Sequence, residues 1–192
     1  MIQRVFVDAN VLFSRTLRDW LFLLRAESKG GLFQIHTTWD IITEAGSRLR
    51  DKYPEASGTL VAELVDKCQL LFDEILVNYP GGKVPEMTDR EDWHVHHAAT
   101  ASRANVLLTE DTGFLSEDTF YEVFNCDEFF VEINSSAPSY VRNVTEKQAV
   151  YWAARNGKSL PDALRDSNCP MFADAVQQHI LNIGRCGSSR RT

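Results

Sequence analysis

Runs of β-branched and aromatic residues, each only a strand long, alternate along this chain with stretches whose apolar residues recur at helical spacing. The runs fall at residues 2–7, 33–36, 75–77, 106–109 and 121–124. Between them, helices are expected over 10–25, from Thr38 past Leu49, over 60–72 and over 90–103, with a short one after Asp127. Strands that alternate with helices must return to the same edge each time. That favours an α/β fold with a central parallel sheet covered on both faces.

Acidic residues sit where these elements change over. Asp8 and Asp111 follow apolar runs, whereas Glu44, Asp89 and Asp92 fall at or near helix starts. Each has a structural explanation on its own. Asp8 and Asp111 can cap the turns that follow them, Glu44 can edge an apolar helix face, and acids in a first turn oppose the helix macrodipole. In open α/β sheets, however, ligands bind beyond the carboxyl ends of the strands. Carboxylates gathered there make a site for a hard divalent cation. Glu91 and Glu110 read as surface charges.

His94, His96 and His97 have no cysteine at a zinc-binding interval, which leaves them packing or supporting roles. The net charge of −7 argues against a broad nucleic-acid footprint and allows a small one. Basic residues do cluster locally, at Arg15 and Arg18, at Arg48, Arg50 and Lys52, and at Arg185, Arg190 and Arg191. Cys68, Cys126, Cys169 and Cys186 lack any C-x-x-C spacing. With no signal-like segment and no membrane-spanning run, reduced thiols and a cytoplasmic location are expected.

The order of the acids resembles the PIN-domain nucleases, and most closely the VapC-type toxins of bacterial toxin–antitoxin pairs. The resemblance covers roughly residues 1–135. It rests on Val7-Asp8-Ala9-Asn10-Val11-Leu12, on Asp92-Trp93-His94-Val95 with Ala98-Ala99, and on Leu108-Thr109-Glu110-Asp111 with Phe114-Leu115. It implies a PIN-like three-layer α/β/α domain over 1–135 and a helical C-terminal extension over 136–192 ending in a frayed tail. By the same resemblance, catalytic acids fall on Asp8, Glu44, Asp92 and Asp111, with Asn10, Thr109 and Asp89 in support. Asp8, Asp92 and Asp111 would hold Mg²⁺ (or Mn²⁺), and Glu44 would orient a water. The implied activity is endoribonuclease cleavage of RNA. The implied partners are a cognate antitoxin and a second copy in a homodimer, with no membrane. Trp93, the His96-His97 pair and the helical tail depart from the family pattern and leave substrate and partner open.

Other readings remain. Haloacid-dehalogenase-like phosphatases also place Asp after the first strand, but they need a second Asp where this chain has Asn10. A PIN-like DNA nuclease would need further DNA-binding elements. A degenerate PIN domain serving as a protein-binding module has no need to crowd carboxylates. Residues 135–139, with Pro138, read as a hinge. Beyond it, Val144, Val150, Tyr151 and Trp152 can pack back on the sheet. Met171, Phe172, Val176, Ile180 and Ile183 can instead face a partner.

Overall fold

The computed structural model describes residues 3–85, 87, 89–114, 119–153 and 158–188. Thr88, which with Asp89 is a residue type able to cap the helix expected over 90–103, lies outside them, as do Leu115 of the third motif and the basic pair Arg190 and Arg191. Among the described residues, five strands form one sheet: β1 (Gln3–Val7), β2 (Phe33–Thr38), β3 (Glu74–Leu76), β4 (Val106–Leu108) and β5 (Glu122–Phe124). The order is β3-β2-β1-β4-β5 and every pairing is parallel. Val5 is the hub, pairing with Ile35 on one side and Val106 on the other. Parallel pairing forces a crossover between successive strands, and helices lie in the connections that lead to β2, β3 and β4.

The helices are α1 (Ala9–Phe13), α2 (Arg15–Glu27), α3 (Trp39–Lys52), α4 (Thr59–Leu71), α5 (Trp93–Ala101), α6 (Cys126–Ser136), α7 (Pro138–Ala153), α8 (Leu160–Arg165) and α9 (Pro170–Ser188). They flank the sheet as the alternating pattern requires. Both faces of the central strands are shielded: Val5, Phe6, Val7, Leu107 and Leu108 are fully buried. A sheet covered on both sides has no polar face, so its strands read as continuous apolar runs.

Several local expectations shift. Thr38 does cap α3, its hydroxyl accepting from the Ile41 amide at 3.2 Å. The third strand sits one residue earlier than expected, and Val77 is left exposed. α5 begins at Trp93, so Asp89 and Asp92 do not share a helix face. Asp127 does not cap α6. That position belongs to Asn125, whose side chain accepts from the Glu128 amide while Glu128 reaches back, forming a capping box. The Asp127 carboxylate turns away and accepts from the Met171 and Phe172 amides at 3.1 and 2.7 Å, at the start of α9.

The segment expected to hinge is helical on both sides of Ala137. α9 continues to Ser188, past the Gly187 expected to lie in a frayed tail.

The C-terminal helices share the apolar core of the sheet. Phe33 of β2 meets Phe129 edge-on at 5.3 Å, and Phe130 meets Phe172 at 5.0 Å. Phe172 in turn meets Trp20 of α2 at 4.9 Å and 85°. This line of rings runs from the sheet through α6 and α9 to α2. Phe172 and Val176 are therefore consumed by the core, while Met171 and Val150 stay exposed. Cys68, Cys126 and Cys169 are buried free thiols, and burial raises the pKa of each. No helix among the described residues is long and apolar enough to cross a membrane.

Candidate active site

The chain lays β1, β2 and β3 outward in one direction and then returns to place β4 on the other side of β1. The gap beyond the C-terminal ends of β1 and β4 is the topological switch point, where the loops diverge and leave a crevice. Asp8 is the first residue past β1, and Thr109 the first past β4. The two ends are tied together, since the Asp8 amide donates to the Leu108 carbonyl at 3.1 Å.

Thr109 is the hub of the polar network. Its buried hydroxyl donates to Asp8 Oδ2 at 2.7 Å and accepts from Asn10 Nδ2 and the Asp111 amide, both at 3.0 Å. One hydroxyl thus uses its donor and both lone pairs. Asn10 also donates to Asp8 Oδ2 at 2.8 Å and accepts from the Glu110 amide at 3.1 Å. Asp8 Oδ1 takes the Ala9 amide at 2.6 Å, so the helix-cap reading of Asp8 is correct as far as it goes. Asp111 likewise accepts from the Gly113 amide at 2.8 Å, at the 3-10 turn Thr112–Phe114. Neither bond exhausts its carboxylate.

Asp8, Asn10, Glu44, Asp89, Asp92 and Asp111 line one pocket of about 500 Å³. Arg48, Arg90, Glu91 and His94 complete the rim, so Glu91, expected as a plain surface charge, faces the pocket as well. Glu44 is held by Arg48 at 2.6 Å, one helical turn away, and lies 3.8 Å from His94. Asp92 is the N-cap residue of α5 yet makes no side-chain cap bond. Its carboxylate therefore makes no hydrogen bond to the helix end, although its place there still opposes the helix macrodipole. Asp89 is turned onto the Glu91 amide at 2.9 Å. The other two histidines diverge: His96 pairs with the Tyr121 hydroxyl at 2.8 Å and His97 with the Gly82 carbonyl at 3.1 Å.

The acids feel one another. Asp92 is pushed up to about 6 by burial and then by the charges of Asp111, Asp89 and Asp8, against a lowering influence from His94. Asp8 is also raised, chiefly by burial and further by Glu44, although its bonds from Thr109 and Ala9 oppose the shift. Burial leads both shifts, and the like charges that add to it come from a lining in which carboxylates outnumber cations.

Among the described residues, no three carboxylate, imidazole or thiol groups already stand at chelating distance. The acids line a pocket rather than form a closed cage. The donor set still fits a hard cation: it is all oxygen, crowded and short of positive charge. Mg²⁺ keeps several of its waters and needs only one or two direct carboxylates.

Sequence reasoning missed two contributors. A Cβ at Gly113 would lie 3.2 Å from Asp111 Oδ1 and 3.8 Å from Asp92 Oδ2, so the missing side chain lets the two carboxylates approach. A glycine two residues after an acid is a signal for such a turn. Glu110 is half-buried rather than a surface charge, and it accepts from the Cys126 amide at the start of α6 at 2.9 Å.

Switch-point geometry and crowded carboxylates define an α/β protein with an acidic pocket beside β1 and β4. A family model described as the PIN domain matches residues 4–113, more than half of the chain. The chain belongs to the PIN-domain family, whose members are generally metal-dependent nucleases, and its function is accordingly of nuclease type. Comparison with curated proteins and with solved structures finds no match.

Proposed function

We propose that the protein is a divalent-metal-dependent endoribonuclease, with Mg²⁺ or Mn²⁺ held by Asp8, Asp92 and Asp111, and that it is the toxin of a toxin–antitoxin pair. The supporting observation is the convergence on one pocket of acids from separated stretches of the chain, at residues 8, 44, 92 and 111. A bound divalent ion supplies Lewis acidity to a phosphodiester and offsets the charge that develops on its oxygens.

The chain's own groups do the rest. Thr109 and Asn10 fix the orientation of Asp8. Glu44, held by Arg48, is placed to orient a water and accept its proton. Arg48 and Arg90 on the rim meet the phosphates of the substrate. Asp89 adds negative charge at the edge of the pocket. A cognate antitoxin, a homodimer and a cytoplasmic setting complete the proposal.

Asp8→Asn is the decisive variant, because amide for carboxylate preserves shape and removes charge. It is expected to abolish RNA cleavage with an unchanged circular dichroism spectrum, and EDTA should do the same to the wild type. Normal RNA cleavage by either sample would overturn the reading. Cleavage of single-stranded DNA but not RNA would assign the pocket to a DNA nuclease. Calorimetry showing no Mg²⁺ or Mn²⁺ binding, with no cleavage, would favour a protein-binding module. Induced expression should arrest growth only when Asp8 is intact.

A further inference from the structure

A second groove, of about 630 Å³, adjoins the acid pocket, and Asn10 lines both. Two helices lead from one to the other. On α1, Asn10 and Phe13 are one turn apart, and Phe13 lines the new groove. On α3, Glu44, Arg48 and Lys52 repeat at every fourth residue and so share a face. Glu44 and Arg48 line the acid pocket, and Lys52 lines the groove, about 6 Å beyond Arg48 and about 12 Å beyond Glu44 along the helix axis.

The groove combines ring faces with cations. The Lys52 ammonium stands 5.0 Å from the centre of the Phe13 ring and 5.5 Å from that of Tyr53. Tyr53 is 46% exposed, an unusual setting for a ring that serves only packing. Arg15 lies at the same wall. The two carboxylates at the edge are already engaged: Glu110 with the Cys126 amide, and Asp166 with Lys158. On the far side stand Ser167 and Asn168, in the turn between α8 and α9, with Asn168 held at φ 60°. That wall belongs to the helical extension, beyond residue 113 where the family match ends.

Aromatic faces, basic side chains and hydrogen-bonding side chains in one furrow are what a flexible nucleic-acid strand requires. Bases stack on rings whatever their sequence, and phosphates follow the cations. In a chain of net charge −7, the cations of this lining, Arg15 (3.6 Å from Asp19), Arg18 and Lys52, outnumber its carboxylates, Glu110 and Asp166. That small excess favours the approach of a polyanion beside an otherwise repellent acidic pocket.

We propose that this groove carries the single-stranded RNA substrate on one side of the acid pocket, with bases on Tyr53 and Phe13 and phosphates on Lys52 and Arg15. The C-terminal extension then forms part of the substrate path. This inference rests on the ribonuclease reading of the acid pocket.

The test measures binding by fluorescence anisotropy, using an unstructured labelled RNA of about 12 nucleotides. Asp8→Asn serves as the non-cleaving parent. Adding Tyr53→Ala should weaken binding by roughly tenfold, as expected for loss of one stacking platform, while Tyr53→Phe should retain it. Adding Lys52→Gln should lower the slope of log affinity against log salt by about 0.7. If the wild type cleaves RNA while the Tyr53→Ala and Lys52→Gln proteins bind like the parent, the groove proposal falls and the ribonuclease reading stands. If the wild type neither binds nor cleaves RNA, both fall. A change of oligomeric state on Tyr53→Ala, with RNA affinity unchanged, would assign the groove to a second copy of the chain and overturn the proposal.

Discussion

Replacing Asp92 with asparagine removes a negative charge from a pocket that also holds Asp8, Asp89 and Asp111. It removes no helix cap, because the Asp92 side chain makes no cap bond to α5. The folded-state pKa of Asp92 is raised from 3.8 to about 6, first by burial and then by Asp111, Asp89 and Asp8. A raised acid pKa means that ionisation opposes folding. Above about pH 6 the group is ionised in both states and the whole penalty is present. As pH falls through about 6, the folded protein takes up the proton first and the penalty is relieved. By 3.8 it has largely gone.

At about 1.36 kcal/mol per pH unit, the interval corresponds to at most about 3 kcal/mol. Partial exposure and salt screening bring this down to about 1–2 kcal/mol. Asp92→Asn is therefore expected to be more stable than the wild type by that amount at about pH 7.5 in EDTA. For a chain of this size, each kcal/mol raises Tm by about 2–4 °C. The advantage should shrink steadily towards about pH 4. Mg²⁺ or Mn²⁺ should reverse the trend: an ion at about ten times its Kd adds about 1.4 kcal/mol to a protein that binds it when folded, and the variant loses a ligand for it. Urea melts across pH, with and without the ion, measure both arms. An asparagine variant no more stable than the wild type in EDTA, or an advantage that persists unchanged at about pH 4, would refute the account of crowded carboxylates.

Thr109→Val keeps the shape of the side chain but leaves the Asp111 amide without its acceptor and Asp8 Oδ2 with Asn10 as its one remaining donor. It should lower stability by about 1–3 kcal/mol in denaturant melts, and reduce cleavage by letting Asp8 turn. Phe172→Ala empties the space between Trp20 and Phe130 and should lower stability by about 3–5 kcal/mol. Because those rings join the C-terminal helices to the sheet, the loss should appear as a single shifted transition; a second, separate transition would show that the extension melts alone.

The fold was largely legible in the sequence because its signals are local and redundant. Apolar runs such as Val5-Phe6-Val7 and Val106-Leu107-Leu108 leave little choice but a doubly covered strand. What stayed hidden was the direction of individual carboxylates. Asp127 and Asn125 flank the start of α6, and either residue type is a good N-cap. The choice falls to Asn125 because α9, some 45 residues later, offers Asp127 two unpaired amides. No local pattern could reveal that. The same holds for Glu110, whose partner is the Cys126 amide. Asp92 was legible only in company: alone it reads as a first-turn acid, and its freedom from capping emerges only once α5 is seen to begin at Trp93.

Capping and ligand binding are not rival explanations for an acid in this fold, and the contrast between Asp8 and Asp92 shows why. Asp8 gives Oδ1 to the start of α1 and Oδ2 to Thr109 and Asn10, so the helix end itself fixes the angle at which it meets the pocket. Asp92 makes no side-chain bond at its own helix end, and burial, then neighbouring charge, raises its proton affinity. An acid fixed by its helix end thus stands beside one whose helix end makes no hydrogen-bond claim on it. Glu110 and Asp127 extend the capping logic outward, from the loop after β4 to α6 and from α6 to α9. The extension is thereby anchored by hydrogen bonds as well as by its aromatic core. The turn at Ser167 and Asn168 is accordingly built on the same frame that orients Asp8 and Thr109.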